Sequence, residues 1–450
     1  MKQFNKLLLT SFFLIPFQLF ADDLKKDVLS MRERANVRNA ILKDRFESVL
    51  PNIMRRNNID MWLIIAREYN EDPVIRTMLP ATWLNARRRT VLVVFDPGNN
   101  KPLETYAVAR YAVGEVFKKA WDPEVQPDQY KALAEIIKQK NPKKIGINKS
   151  EFFAQADGLS STEYDLLNKA LPRKYQKRIV SATNIAVGWL ETRSAKEMEI
   201  YPEICRIAHD IIKEGFSSNV ITPGVTTTDD IVWWYRERIR DLNFVTWFHP
   251  SVSIQRGDKQ SFDFLESFSN AKPESTVLPG DLLHVDFGIT YLSLNTDTQQ
   301  HSYVLMPGEN TVPNELTKAL AIGNRLQDIL TNQFKTGRTG NEMLLSALEQ
   351  AKSEGINPQI YTHPIGYYGH GSGPTIGMWD KQEGVPVNGD YPLYPNTAYS
   401  IELNAKVFIK SWGKEVAIQL EEDAFFDGET CEYIDPRQTE MIIIDWETDK

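Results

Sequence analysis

Two kinds of apolar pattern alternate along the first part of this chain, short unbroken runs and recurrences every three or four positions. From Leu24 to roughly Asn57 the apolar residues recur at the helical interval among charges, which predicts helix. Met61–Ile65 and Val91–Phe95 are short runs of strand character, helix returns at Tyr130–Gln139, and Lys144–Ile147 reads as strand again. Such alternation predicts an α/β layer reaching to about Ile185. Ser194-Ala195-Lys196-Glu197 places Ser at a cap and Glu three positions later, so a long helix should open there and run towards Phe216. Pro223-Gly224 breaks the chain, and Thr227-Thr228-Asp229-Asp230 caps a second helix. That helix carries Trp233, Trp234 and Tyr235, aromatics read as core or as an oligomer contact. Further helices are expected at Asn314–Thr331 and Gly340–Glu354, with strands around them.

The amino end follows a different pattern. Lys2 and Lys6 precede an apolar run from Leu7 to Phe20, and Ala21 is followed by Asp22-Asp23. A basic start, a short apolar core and a small residue are the layout of a secretory signal peptide. The run is shorter than the roughly 20 residues that span a bilayer, and Pro16 interrupts it. Residues 1–21 are therefore expected to be removed, leaving a periplasmic or secreted chain with no membrane attachment. At 450 residues the chain is expected to hold two further domains, 22–188 and 189–450. A net charge of −8 argues against affinity for nucleic acid or anionic lipid. Arg87-Arg88-Arg89 is the one basic cluster, and its place before Val91–Phe95 makes it a solvated strand entrance. Cys205 and Cys431 are too few for a thiolate metal site, so any metal must sit on oxygen and imidazole.

Acid residues stand in strands where carboxylates are disfavoured. Asp286 lies in Leu282-Leu283-His284-Val285-Asp286-Phe287-Gly288, and Asp297 follows soon after. A hairpin folded about Tyr291-Leu292 would set the two directly opposite on one face. Glu402 and Glu421 are likewise brought opposite by a hairpin about Ser411-Trp412, with Gly413 available for the turn. One facing acid pair is easily surface decoration; two on apolar strands call for a cation between like charges. Such a site wants one nitrogen ligand. His363 and His370 stand out among glycines in Thr362-His363-Pro364-Ile365-Gly366-Tyr367-Tyr368-Gly369-His370-Gly371, one as ligand and the other as proton carrier.

Together these motifs resemble the pita-bread metallopeptidases: methionine aminopeptidase, aminopeptidase P and prolidase, with creatinase as a metal-free relative. The family's ligand order Asp, Asp, His, Glu, Glu matches Asp286, Asp297, His363, Glu402 and Glu421. Its His-x-x-Gly-x-x-x-His segment is matched by His363 to His370, and Leu420-Glu421-Glu422-Asp423 resembles the strand with its last Glu. The resemblance covers the C-terminal half, and Arg193-Ser194-Ala195-Lys196-Glu197 sits where the longer members join a creatinase-like N-terminal α/β domain. It implies an α+β pita-bread catalytic domain holding two divalent metal ions, Mn favoured over Co, Zn or Fe. Asp297 and Glu421 are implied to bridge the ions, Asp286 to complete one and His363 with Glu402 the other. Glu402 is implied to take the proton from the attacking water and His370 to hydrogen-bond the substrate carbonyl or the tetrahedral intermediate. The implied partner is a peptide cleaved at its amino end, with Xaa-Pro bonds in range; a homodimer is allowed but not fixed.

Four departures from the family pattern bear on substrate rather than on metal. The stretch Ser253 to Leu283 lacks the third family His, and His249 is too early to replace it. Gln300 stands where Arg usually follows the second Asp, and Gln419 where Arg often precedes the last Glu. The segment between His370 and Glu402 is longer than usual and contains Trp379 and Asp380. A prolidase-like dipeptidase, a creatinase-type C–N hydrolase and a non-catalytic binding protein on the same scaffold are the competing expectations. The complete ligand set speaks against the last two.

Overall fold

The computed structural model describes residues 24–26, 28–257 and 275–447. The expected signal peptide lies outside them. Among the described residues no helix is long and apolar enough to cross a membrane.

The helical stretch after Leu24 is interrupted rather than continuous. Ser30 opens the helix Met31–Ser48 with a capping box to Glu33, and a second helix, Leu50–Arg56, restarts after Val49 with a proline in its first turn. A six-stranded sheet follows, made of β1 (Met61–Arg67), β2 (Arg89–Phe95), β3 (Glu104–Val108), β4 (Lys118–Lys119), β5 (Ile145–Ile147) and β6 (Ile179–Ser181). Its order is β4-β3-β2-β1-β5-β6, with β1 antiparallel to β2 and parallel to β5. Side chains alternate across a strand, so one run of apolar residues can feed two cores. Trp62, Ile64 and Val94 pack with Phe46 and Trp189, while Met61, Leu63 and Val93 pack with Leu133 and Ile137 of the helix Gln129–Lys140.

Past the helix Thr183–Glu191, Ser194 and Glu197 form the expected capping box and open the helix Ala195–Gly215. Glu197 does more than cap. It is wholly buried and receives Arg45 at 2.5 Å and Arg193 at 3.0 Å, joining the helix Met31–Ser48 to this one. Thr227 caps the helix Thr228–Asp241 as expected, with Tyr235 buried and Trp233 exposed.

The remaining strands are β7 (Ser251–Gln255), β8 (Leu282–Phe287), the ribbon β9 (Thr290–Tyr291) and β10 (Leu294–Asn295), β11 (Thr298–Val304), β12 (Asn357–Ile360), β13 (His363–Ile365), β14 (Thr397–Ser400), β15 (Leu403–Ile409), β16 (Lys414–Leu420), β17 (Asp423–Phe426), β18 (Cys431–Tyr433) and β19 (Ile442–Ile444). They form sheets ordered β19-β11-β8-β7, β12-β15-β16 and β13-β14-β17-β18. Leu283, Val285 and Phe287 of β8 turn towards the helices Ala195–Gly215 and Thr228–Asp241. Val416, Ile418 and Leu420 of β16 join the core of the helices Asn314–Thr331 and Gly340–Ser353. Helices thus cover the outer faces, and the alternate residues His284, Asp286, Gln299, His301 and Gln419 meet between the sheets, all buried.

Candidate metal centre

Two turns decide where the acids stand. Leu292 and Ser293, both with positive φ, form the two-residue turn of the β9–β10 ribbon. That turn is one residue later than Tyr291-Leu292, so it shifts the pairing of β8 with β11 by two. Asp286 consequently faces Gln299, and Asp297 lies just before β11 rather than directly opposite Asp286. A shift of two keeps every side chain on its face, so both Asp still point the same way. In the second hairpin Gly413 takes the left-handed conformation and Leu403 pairs with Leu420. Continuing that register by one residue sets Glu402 opposite Glu421, as expected.

Asp286, Asp297, His363, Glu402, Glu421 and His370 all line one cavity of about 680 Å³. His363 opens β13, and its Nε2 lies 3.6 Å from Asp297 Oδ2, 3.9 Å from Glu402 Oε2 and 3.5 Å from Glu421 Oε1. Its Nδ1 is 3.1 Å from the Pro364 carbonyl, to which only an N–H can donate. Nε2 then keeps a lone pair for a cation, the tautomer metal-binding histidines require.

Among the described residues lining the cavity no Lys or Arg balances these carboxyls. Burial pushes the Asp286, Asp297 and Glu402 carboxyls well above the usual range, and the Glu421 charge pushes each further. Asp286 Oδ1, Asp297 Oδ1 and His363 Nε2 are buried without a hydrogen-bond partner. Buried polar atoms are ordinarily satisfied. Oxygen donors plus one imidazole, with these atoms unmet, fit a divalent cation. Among the described residues, Asp297, His363 and Glu421 bring ligand atoms within 4.8 Å of one another.

His370 lies beyond β13, its ring edge-on to His363 at 4.8 Å and packed against Trp247 at 5.0 Å. Burial, then the neighbouring His363, lowers its pKa to about 4. The expected insertion forms one wall of the cavity through Thr375, Met378, Trp379 and Val385. The far wall comes from the N-terminal half, where Phe152, Phe153 and Gln155 line the cavity. His249 is elsewhere, bonded to Arg236 and packed on Trp233.

Gln300 does not face the metal side. Alternation along β11 turns it outward, where its amide donates to Glu422 at 3.1 Å. The residue that does enter the acid cluster is Gln299, which a scan for acids and histidines passes over. Its signal was Thr298-Gln299-Gln300-His301-Ser302, five polar residues in succession within a fully buried strand. Gln419 does lie on the inner face, and neither atom of its amide has a partner. The two cysteines are both free, Cys205 lying 3.6 Å from Asp423 Oδ2.

Helix-covered sheets whose inner faces converge on acids and one imidazole define a metal-dependent hydrolase scaffold. Residues 199–426 match metallopeptidase family M24, and the chain belongs to that family. Solved structures with the same fold include an X-Pro aminopeptidase from Thermotoga maritima at TM-score 0.61 and 16% identity, covering 87% of this chain and 100% of that one. An Xaa-Pro dipeptidase from Bacillus anthracis gives 0.56 at 17% identity, covering 92% and 100%. A prolidase from Pyrococcus horikoshii gives 0.53 at 16%, covering 89% and 99%. No curated protein sequence matches the chain. The chain is thus an M24 metallopeptidase with a pita-bread catalytic fold.

Proposed function

We propose that this chain is an exported aminopeptidase that uses two divalent cations to hydrolyse the first peptide bond of its substrate, with Xaa-Pro bonds in range. The observation that carries the reading is the set of unpartnered buried atoms, Asp286 Oδ1, Asp297 Oδ1 and His363 Nε2, in residues lining one cavity. Asp286, Asp297, His363, Glu402 and Glu421 would hold the cations, and an oxygen-rich set with one imidazole favours Mn over Co, Zn or Fe. When bound, such cations polarise the scissile carbonyl and make water more acidic. Glu402 accepts the proton of the attacking water. His370 donates to the carbonyl oxygen as charge develops on it, which its unprotonated resting imidazole does through an N–H. Trp247 and Phe153 supply apolar walls that limit water. The acidic surroundings suit a free substrate amino group.

The test is peptide turnover by chelator-treated mature protein with and without added Mn²⁺, on peptides with and without proline at the second position. Cleavage from the amino end only when metal is restored is expected; internal cleavage or metal-independent turnover would remove the reading. Export rests on Lys2, Lys6 and Leu7–Phe20, and is checked by sequencing the native amino terminus. A start near Asp22 is expected, and Met1 on cytosolic material would defeat it.

A dipeptidase is the second reading. Among the described lining residues none is Lys or Arg, so a dipeptide's carboxylate would have only the cations as a charged partner.

A further inference from the structure

A second cavity, of about 240 Å³, lies where the two halves of the chain meet. Arg38, Ile41 and Leu42 line it from the helix Met31–Ser48, and Arg76, Thr77 and Leu79 from the segment that follows β1. Leu292 and Ser293 of the β9–β10 turn close it, together with Tyr367 and Tyr368 from the loop between His363 and His370. It shares no described lining residue with the cavity of the acid cluster.

Arg38 is the unusual member. It is half-buried, burial holds its guanidinium below the usual arginine range, and Tyr367 is the one described group that offsets this. Arginine does not give up its proton to escape such a site, so a cation shielded from water stands there without a counter-ion. Arg76 is exposed and meets Glu71 loosely, at 3.6 Å. No described lining residue is acidic, although the chain carries a net charge of −8. Much of the remaining wall is aliphatic, with Ile41, Leu42, Leu79 and Leu292 all buried. Leu292 is held there at a φ of 53°, a left-handed conformation that costs a residue with a Cβ.

We infer that this cavity binds a small carboxylate with an aliphatic body and no amino group, its charge on Arg38 and Arg76 and its chain among Ile41, Leu42, Leu79 and Leu292. Arg takes a carboxylate through two charge-assisted hydrogen bonds. Phosphate would meet the same arginines but leave the aliphatic wall uncovered. An amino acid would bring an ammonium for which no described lining residue supplies an anion. The ligand is therefore not a product of peptide cleavage, and the site does not depend on the metal centre. Its volume lies below the roughly 300 Å³ at which pockets for drug-sized ligands begin, which limits the body to a short chain.

Titration calorimetry of pentanoate into chelator-treated mature protein tests this, the chelator keeping the carboxylate away from any cation. Native protein should bind it with a Kd of roughly 1 mM. Inorganic phosphate lacks the chain, pentanol lacks the charge and norvaline adds an ammonium, so each should bind at least roughly tenfold more weakly. Arg38→Gln should weaken pentanoate binding by roughly tenfold or more, and Arg76→Gln by less. Arg32→Gln, at an exposed position of the same helix, should bind like native protein. Without ligand, Arg38→Gln should melt no lower than native protein, because the change removes a cation that has no counter-ion; an arginine serving the fold would lower it. No saturation by pentanoate at roughly ten times the expected Kd, native affinity in Arg38→Gln, or equal binding of phosphate or norvaline would overturn the inference. A clear loss of unliganded stability in Arg38→Gln would overturn it as well.

Discussion

The side-chain amide of Gln155 donates to the backbone carbonyl of His370 at 2.8 Å, across 215 positions of sequence. Ser372 Oγ donates back to Gln155 Oε1 at 3.0 Å, and Tyr368 OH donates to the Pro73 carbonyl at 2.8 Å. The loop that carries His370 is therefore held from the N-terminal half on both sides of the histidine. Part of what positions His370, the proposed carbonyl donor, lies outside residues 199–426.

Gln155→Ala should accordingly lower kcat/KM by roughly three- to tenfold, about the worth of one net hydrogen bond, if His370 must be held in place. Gln155 is only half-buried, so the melting temperature should shift by little. A variant with native kcat/KM would show that the loop holds itself.

His363 and His370 should separate by what is lost. His363→Ala removes a nitrogen ligand, so bound metal and activity should fall together. His370→Ala should keep its metal while turnover drops by roughly a hundredfold or more, as when a partner of the developing oxyanion is removed. Metal analysis beside single-turnover rates distinguishes them, and equal metal loss from both would reverse the assignment.

These residues were legible because their chemistry is local: Asp286, Glu402 and Glu421 stood beside apolar neighbours, and Asp297 followed Asp286 at hairpin distance. Pairing was legible only where the turn was. Gly413 marked the β15–β16 turn, so Glu402 and Glu421 fell into register. Leu292 and Ser293 carry no turn signal, since positive φ is unusual for both, and the β8–β11 pairing was displaced by two. Gln299 was hidden for another reason. A neutral amide is noticed only once its partners are known, and the two glutamates lie more than 100 positions away. The same holds for Gln155, whereas the outward direction of Gln300 follows from alternation alone, since a shift of two leaves each side chain on its face.

His209 offers a pH test remote from the cavity. Its ring nitrogens lie 2.6 Å from Asp435 Oδ2 and 2.7 Å from Glu422 Oε2. Burial alone would lower its pKa, but the Glu422 charge and the bonds to both carboxylates outweigh this and raise it to about 10. A group raised on folding stabilises fully below its unfolded value, near 6.5 for histidine, and loses that contribution as pH climbs through about 10. The gap in melting temperature between native protein and His209→Phe should therefore be widest near pH 6 and narrow steadily towards pH 10. A gap that stays constant over that range would mean the imidazole is neutral throughout.

Substrate length is the last test, and the structure changes its grounds. Gln300 and Gln419 stand where the family resemblance would usually place Arg, and Arg grips a carboxylate through two charge-assisted bonds that a neutral amide cannot supply. Gln300 faces Glu422 on the outer side of β11, so its effect on substrate is indirect. Gln419 is buried on the inner face with its amide unpaired and supplies no charge. The stronger argument is now the cavity wall itself. Four acids and two histidines line it together with Phe152, Phe153, Trp247, Phe248 and Trp379, and no described lining residue is cationic. A dipeptide must place its carboxylate among those acids, where protein charge repels it, whereas a longer peptide carries its carboxylate away from them. Apolar walls can meanwhile take up the side chains that follow the cleaved bond. Comparing kcat/KM for a Gly-Pro dipeptide with that for the same sequence extended by two residues should favour the longer peptide by roughly tenfold or more, a difference of about 1.4 kcal/mol. Gln155→Arg, which adds a cation at the cavity rim but also removes the bond to the His370 loop, should lower kcat/KM for both peptides and less for the dipeptide, so the margin should shrink. A native preference for the dipeptide would mean that the cations themselves receive its carboxylate, and would return the chain to the prolidase side of its family.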